Sequence, residues 1–538
     1  MSAPHTRAGA GLVSRSVASC FLFKFPPSSK PLVALFRRSG KVSTYRHCLA
    51  PISGSVEKTD ASPTAAVWRE LNEETTLTPS HIDLFRKGKP YSFADESVGR
   101  IWTVHPFAFR LKSEEDEKRI QIDWEHEGWE WRDPHEVTDA EGFGGVPFLA
   151  KSLRRVWFEM DLGEERGKIL RDGLLALQKD HESGARQLAS KALDVFRQLV
   201  ALGEGEDVGT WWRNARFSAW HLWKNGRESM GAAVLSVLVR SLAIIEQEIR
   251  PPPATGPMSR DTLEKVSRRL AEYADERTKA IDGVWKSFSS FLQRTRQGDN
   301  ADPIRILTLS SSSTILECLR RASTETSLNL DVRILESRPL FDGVSMASKL
   351  ASALCETPSG ESGAGKHPVK LTLYSDASAA VASKDVDLVL LGADLIDGQG
   401  SVSNKTGSLP AVLSARHVSP AAQVVVLAER EKILPLPAHE PDLDEQNDPG
   451  ELTQAWAGDP SLRSAALALT TGDGSGDGSG KGQGMAEMEV EVKNPYFEWV
   501  PPDLIDLYLF EDGETTPAEV AEQTEKLREQ VDRLFAED

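Results

Sequence analysis

The spacing of apolar residues changes twice along the chain, and each change predicts a different architecture. From residue 15 to about 150, short apolar runs alternate with polar turns. Ser19-Cys20-Phe21-Leu22-Phe23 and Leu32-Val33-Ala34-Leu35-Phe36 read as two hairpin strands, over 17–25 and 31–36, and Trp102 to Phe109 as a later strand. Between them a helix is expected from Ser62-Pro63, with Ser62 as cap and Pro63 in the first helical position. From Gly167 the period becomes 3.6: Ile169, Leu170, Leu174, Leu175 and Leu177 share one face, and a second run covers 185–202. An apolar helix over 234–249 stops at Pro251-Pro252-Pro253, and a helix pair over 261–276 and 278–296 completes a helical middle segment. Strands then return at 304–309, 328–335, 369–374, 386–391 and 423–427, each followed by a polar turn and a helix-period stretch. That alternation predicts a parallel, doubly wound sheet with ligands at the carboxyl ends of its strands.

The expected organisation is therefore multidomain α/β. It comprises a flexible tail over 1–14, a first domain over 15–150, a helical segment over 165–300 and a Rossmann-like domain over 301–538. Gly/Ser-rich stretches at 359–365 and 472–484 and an acidic stretch at 439–450 read as surface insertions. No run of 18 apolar residues occurs, so no transmembrane helix or membrane partner is expected. A formal net charge of -18 disfavours direct nucleic-acid binding, because phosphate neutralisation needs clustered Lys and Arg. The four cysteines, Cys20, Cys48, Cys318 and Cys355, form no C-x-x-C pair and indicate neither a zinc site nor a disulfide framework. A reducing, cytoplasmic setting fits them. The Arg- and Ser-containing stretch before Glu57 leaves mitochondrial import as the alternative.

Two stretches carry candidate chemistry. On the first predicted helix, Glu70, Glu73 and Glu74 stand at i, i+3 and i+4, so their carboxylates share a face. Such a cluster is either a solvated acidic surface or a site for a hard divalent cation, which takes oxygen ligands. In the last domain, an apolar run ends in Gly392-Ala393-Asp394, a glycine-rich turn follows, and Asn404-Lys405-Thr406-Gly407 is expected to open a helix. Asp394 is there either a turn-capping residue or an acid facing a ligand. Arg227 lies in a Gly-containing turn before a long helix, where a guanidinium and helix amides could share an anion.

Gly54, Asp60 and Arg69-Glu70-Leu71-Asn72-Glu73-Glu74, together with Glu125-His126-Glu127-Gly128-Trp129, resemble the signature of Nudix hydrolases. The family pattern has Glu where Asp60 stands, one residue fewer before the Arg, and Gly where Thr76 stands. The resemblance implies an α/β/α sandwich and cleavage of a nucleoside diphosphate linked to another group. It further implies that Glu70, Glu73 and Glu74 hold magnesium or manganese, that Glu73 or Glu127 activates water, and that Arg69 positions the carboxylates.

A second set of motifs is similar to the superfamily of the regulatory subunits of translation initiation factor 2B, which also contains methylthioribose-1-phosphate and ribose-1,5-bisphosphate isomerases. The motifs are Ser183-Gly184-Ala185, Asn225-Gly226-Arg227, Glu336-Ser337-Arg338-Pro339, Gly392-Ala393-Asp394 and Asn404-Lys405-Thr406-Gly407. This likeness, over about 165–515, implies a pocket for a small phosphorylated ligand built from Arg227, Arg338, Asn404, Lys405 and Ser310, and dimers formed through the carboxyl-terminal half. In the isomerases a cysteine after the first strand works with the Asp of Gly-Ala-Asp. Here Ser310 stands at the cysteine position while Asp394 remains. A hydroxyl is a far weaker acid than a thiol, which argues against isomerisation. Three readings follow: a Nudix-type hydrolase with a phosphate-sensing partner domain, a non-catalytic regulatory or assembly protein, and, as the weakest, a sugar-phosphate isomerase.

Overall fold

The computed structural model describes residues 12–27, 29–180, 183–227, 231–249, 256–295, 302–356, 369–434, 447–463 and 492–536. The insertions expected at 359–365 and 472–484, and most of that at 439–450, lie outside the described residues.

The amino-terminal region is a sheet covered on both faces. Its strands are β1 (Val13–Lys24), β2 (Leu32–Arg38), β3 (Leu49–Ala50), β4 (Ile52–Ser55), β5 (Ile82–Lys87), β6 (Tyr91–Asp95), β7 (Arg100–Leu111) and β8 (His126–Arg132). The path β3-β2-β1-β7-β5 is joined by β4 on β1, β6 on β7 and β8 on β2. β1 starts at Val13, inside the stretch expected as a tail, because β7 offers it a parallel partner from Arg100 onward. Helix α1 (Pro63–Thr75), capped by Ser62 as expected, packs Ala66, Val67 and Leu71 onto Cys20, Leu22, Phe36 and Ile52. After the short α2 (Glu114–Glu117), helix α3 (Leu149–Arg154) covers Phe21, Phe23, Val33 and Leu35 on the opposite face. Alternation along β1 and β2 thus feeds two cores, one on each face.

The middle segment holds α4 (Glu159–Lys179), α5 (Ala185–Val200), α6 (Val208–Asn225), α7 (Gly231–Ile249) and α8 (Arg260–Thr278). α7 is apolar on nearly every side, as a helix at the centre of a bundle must be, and its Leu235, Leu238 and Leu242 are fully buried. The next helix, α9 (Ala280–Thr295), sits in the sequence with this bundle but packs elsewhere. Trp285, Phe288 and Leu292 lie against Ile306, Val332 and Ile334 of the following sheet.

That sheet runs β11-β10-β9-β12-β15-β17-β18, from β9 (Ile304–Leu309), β10 (Leu330–Leu335), β11 (Val369–Tyr374), β12 (Leu388–Leu391), β15 (Gln423–Leu427), β17 (Leu507–Phe510) and β18 (Gly513–Thr515). The first six strands are parallel, and β18 turns back antiparallel. A side sheet, β13 (Leu395–Ile396), β14 (Val402–Lys405) and β16 (Phe497–Val500), lies at the strand ends. Helices α10 (Ser313–Glu325), α11 (Asp342–Glu356), α12 (Ala379–Ala382), α13 (Ser408–Val418) and α14 (Gly450–Ala457) precede the closing helix α15 (Pro517–Leu534). Strand order reverses between β9 and β12, the position at which a doubly wound sheet opens a crevice. Asn404 and Lys405 end β14 rather than opening a helix; α13 begins only after Gly407, whose φ of 107° breaks the chain direction.

The two halves meet through buried polar contacts. Arg86 at the end of β5 donates from Nη1 and Nη2 to the two carboxylate oxygens of Glu159, 2.9 Å each, over the ring of Phe158. Beside it, the Asn225 side chain brackets the Lys87 backbone, accepting from its N–H at 2.6 Å and donating to its carbonyl at 2.9 Å. Asn225 therefore belongs both to the Asn-Gly-Arg motif and to the seam between the halves.

Candidate functional site

In the amino-terminal cleft, of about 550 Å3, Glu70 and Glu73 are held by one arginine and Glu74 by one histidine. Arg69 grips Asp60 with two bonds, Nε to Oδ1 at 3.1 Å and Nη2 to Oδ2 at 2.9 Å. Its Nη1 reaches Glu70 at 2.8 Å and Glu73 at 3.2 Å. Asp60 also accepts from the Glu57 N–H, and the Arg69 bonds, then this one, hold its carboxyl below the usual range. Both departures ahead of the Arg, the shorter acid and the extra residue, fall on this contact, and the contact is made. At the third departure, Thr76 adopts the left-handed C-cap with φ 61° that glycine adopts at lower cost, a penalty of about 1 kcal/mol. Gly54 on β4 is needed for space: a Cβ there would overlap the Glu70 carboxylate.

Glu74 is buried beneath α1, with Oε2 2.5 Å from His126 Nε2. Burial, then the charges of Glu125, Glu70 and Asp123, push Glu74 up to about 9, while burial pushes His126 down to about 4. The pair consequently shares one proton, and His126 Nδ1 is enclosed with no hydrogen-bond partner among the described residues. Burial raises Glu70 as well, with Arg69 opposing and Glu73 and Glu125 adding repulsion. Burial and Asp123 raise Glu125, against Arg38. Glu73 remains exposed at the cleft.

Glu127, expected on this wall, points away from it: Oε1 accepts from the Gly40 N–H at 3.1 Å and pairs with His47 Nδ1 at 2.9 Å. Glu125 lines the cleft in its stead. A bulge between Arg37 and Arg38 shifts the β2–β8 register where β8 begins, which alternation in the sequence does not reveal. Glu125, His126 and Arg38 are therefore additions from the structure, signalled in the sequence only by the polar run before Trp129.

Among the described residues no three His, Cys, Asp or Glu side chains converge on one point at ligating distance. Arg69 engages Glu70 and Glu73, and His126 engages Glu74. The donor set nevertheless fits a hard divalent cation, because Glu70, Glu74 and Glu125 stand together with pKa values raised by burial first and by neighbouring carboxylates second, and they offer only oxygen.

The second cluster lies at the carboxyl ends of the parallel sheet. Asp376 after β11 accepts from the N–H groups of Ser337, at 2.9 Å, and Arg338, at 2.8 Å. Ser337 Oγ in turn accepts from the Ser310 N–H at 2.8 Å. Ser310 and Ser337 both have left-handed backbones, φ 66° and 60°, so this chain of bonds ties three strand ends into tight turns. Across the reversal point, Gly392 packs on Ser312 and the Asn404 side chain. Burial raises the Asp394 carboxyl; Lys432, Lys405 and Arg227 oppose that, and Asp342 adds to it. Lys405 is buried, its Nζ 3.0 Å from Asp342 and 4.8 Å from the centre of the Tyr496 ring. Asn404 donates to Ser408 Oγ at 2.9 Å. Arg227 donates to the Asp180 carbonyl at 2.9 Å. The fold thus brings Asp394, Lys405, Asn404 and Arg227 together and adds Lys432 and Asp342. Arg338 stands at the neighbouring strand end, its guanidinium 5.8 Å from the centre of the Phe341 ring. Cys318 is in the core under α10, away from these turns.

The model of the Initiation factor 2 subunit family matches residues 181–517, and that of the NUDIX domain matches residues 14–154. Ribose 1,5-bisphosphate isomerase of Haloferax volcanii is 26% identical over 270 residues, 49% of this chain and 67% of that protein. Methylthioribose-1-phosphate isomerase of Caenorhabditis elegans is 30% identical over 161 residues, 29% of this chain and 41% of that protein. Among solved structures, the tetrameric eIF2B-beta2-delta2 complex from C. thermophilum is similar with a TM-score of 0.46 and 15% identity, covering 69% of this chain and 98% of that one. Isomerase-like motifs, parallel sheet and matched family region coincide, and the chain belongs to the initiation factor 2 subunit family, with a NUDIX domain preceding that region.

Proposed function

We propose that the amino-terminal cleft hydrolyses a nucleoside diphosphate-linked compound with magnesium or manganese, and that the carboxyl-terminal half binds a small phosphorylated ligand. The crowding of Glu70, Glu74 and Glu125 beside exposed Glu73 carries this reading. A divalent cation on Glu70, Glu73 and Glu74 would acidify water and offset charge on the bridging oxygen. The chain's own groups do the rest. Arg69 keeps Glu70 and Glu73 on one side of the cleft, and Gly54 leaves room for Glu70. Glu73, the most accessible carboxylate of the helix, receives the proton of the attacking water. Formation of nucleoside monophosphate from a panel of nucleoside diphosphate-linked compounds, compared between the natural chain and Glu73→Gln, tests the reading; equal formation by both would sink it.

In the second half, Lys405, Lys432 and Arg227 around Asp394 favour an anion at the strand ends. The relatives named as isomerases of ribose 1,5-bisphosphate and methylthioribose-1-phosphate make a phosphorylated pentose the first ligand to try. Ser310 in place of a thiol supports binding without isomerisation. Exposed Leu340, Phe341, Val344 and Leu373 favour self-association through this half. Sedimentation of the whole chain as a monomer at all concentrations would remove that expectation. No helix among the described residues is long and apolar enough to cross a membrane.

A further inference from the structure

A larger cavity, of about 1010 Å3, lies where the two halves meet and shares no lining residue with the amino-terminal cleft. One wall comes from the amino-terminal sheet, with Phe25 just after β1 and Phe85 on β5; the other comes from α4, with Met160, Leu174 and Leu175. Trp157, on the link between them, also lines it. Phe25 meets Phe85 edge-on, ring centres 5.7 Å apart, and its ring centre is 6.1 Å from that of Trp157. Phe25 and Leu175 are 45% and 41% exposed, so apolar surface from both walls is left in water. Gly163 breaks α4 beside the cavity with φ 75°, and a Cβ there would meet nothing within 4 Å. The charges on these walls carry a surplus of cations. Glu159 accepts from both terminal nitrogens of buried Arg86 at 2.9 Å and from Arg171 at 3.2 Å, so two guanidiniums share one carboxylate. Asp172 approaches Arg171 only at 3.9 Å. Lys30, Arg110 and Lys168 add three cations, against Asp133 and Glu164. Their ion pairs with Asp133, Asp83 and Asp172 place the cation at an exposed position and are weak. Trp157 is 5% exposed, and its indole N–H has no hydrogen-bond partner among the described residues, a cost that an acceptor would relieve.

We infer that this cavity is a binding site for an aromatic organic anion, which touches both halves of the chain at once. Its volume is that of a small-molecule site, and junctions between domains are where apolar pockets with a few polar groups occur. The ring body lies on Phe25, Phe85 and Leu175, and the anionic group meets Arg171 and Lys168. Gln178 lines the same cavity and donates from Nε2 to the Asn225 carbonyl at 2.7 Å. The occupant therefore borders the residue that brackets Lys87 across the seam. A ligand that needs both walls binds only the assembled seam and stabilises it by mass action. The inference stands apart from the chemistry of either candidate site.

The probe is anilinonaphthalene sulfonate, an aromatic anion, with N-phenylnaphthylamine as its uncharged counterpart. Calorimetry of the full chain is expected to show one strong site for the sulfonate, with the neutral amine bound at least about tenfold more weakly, the worth of a hydrogen bond to a charged group. Leu175→Glu on α4 and Phe25→Ser on the opposite wall, both at exposed positions, should each weaken the sulfonate by about tenfold. Lys168→Gln should weaken it by about threefold. Leu413→Glu, at an exposed position of α13 in the other half, should change nothing. Equal binding of the two compounds, or a loss in Leu413→Glu equal to that in Leu175→Glu, would mean adsorption to apolar surface in general and overturn the site. A loss in only one of Leu175→Glu and Phe25→Ser would overturn the two-walled arrangement. Displacement of the sulfonate by magnesium pyrophosphate or by ribose 5-phosphate, neither of which has an apolar body, would place it in the cleft or at the strand ends and also overturn the inference.

Discussion

The two candidate sites arrange their charges differently. In the amino-terminal cleft, Glu70, Glu73, Glu74 and Glu125 stand together, one arginine is shared by three acids, and Arg15, Arg38 and Arg100 also line the cavity. At the parallel strand ends, Lys405, Lys432 and Arg227 stand around Asp394, with Asp342 beside Lys405. Like charges crowded in a partly buried site are costly until a counter-ion arrives. The grouped carboxylates therefore suit a cation together with the phosphates it draws in, and the strand ends suit an anion. In a chain of net charge -18, a phosphorylated ligand depends on such local cations.

The largest effect that would sharpen this contrast is at the acidic site. Gly54→Ala drives a methyl group into the Glu70 carboxylate and should lower hydrolysis roughly 100-fold or more, the size expected for displacing a catalytic group. Unchanged ribose 5-phosphate binding in that variant would confirm that the sites are separate, and parallel loss of both would break the comparison. Next comes the seam. Arg86→Met leaves Glu159 buried with Arg171 as its remaining ionic partner among the described residues and should cost about 3 kcal/mol, seen as an early transition in thermal unfolding. A single unshifted transition would show that the Arg86 pair does not join the halves.

Lys405→Met should weaken binding of ribose 5-phosphate by about tenfold or more, the loss typical of a charged hydrogen bond, and leave hydrolysis at the other site intact. Tighter binding would contradict the cationic reading of the strand ends. The smallest effect concerns pH. His221 is fully enclosed beside Asn225, and burial, then Arg86, push its pKa well below the ordinary value of about 6.5. The unfolded chain then binds the proton that the folded chain refuses. Stability from neutral His221 is complete above about pH 6.5 and declines as pH falls below it, by at most about 1.4 kcal/mol per pH unit. His221→Phe should flatten that part of the stability profile, and an unaltered slope would assign it to other groups.

Much of this molecule is legible in local spacing. The Ser62-Pro63 start of α1, the i, i+3, i+4 glutamates and the strand-helix alternation after residue 300 all depend on neighbours a few positions apart, where backbone geometry is repetitive. Glu127 shows where that stops. A one-residue bulge opposite Arg37 and Arg38 decides whether position 125 or 127 faces the cleft, and the bulge is a property of two strands that are distant in sequence. α9 shows the same limit, since its apolar face matches either the bundle or the sheet until the chain closes.

The sequence alone thus determined the order of elements and the two motif sets, because each is written in contiguous residues. Only the tertiary structure decided which charges are brought together. The burial of Glu74 against His126, the cations around Asp394 and the double role of Asn225 all join residues from separate strands and helices. Their energies depend on exclusion of water and on distances of a few ångströms, and both are set by packing across the fold.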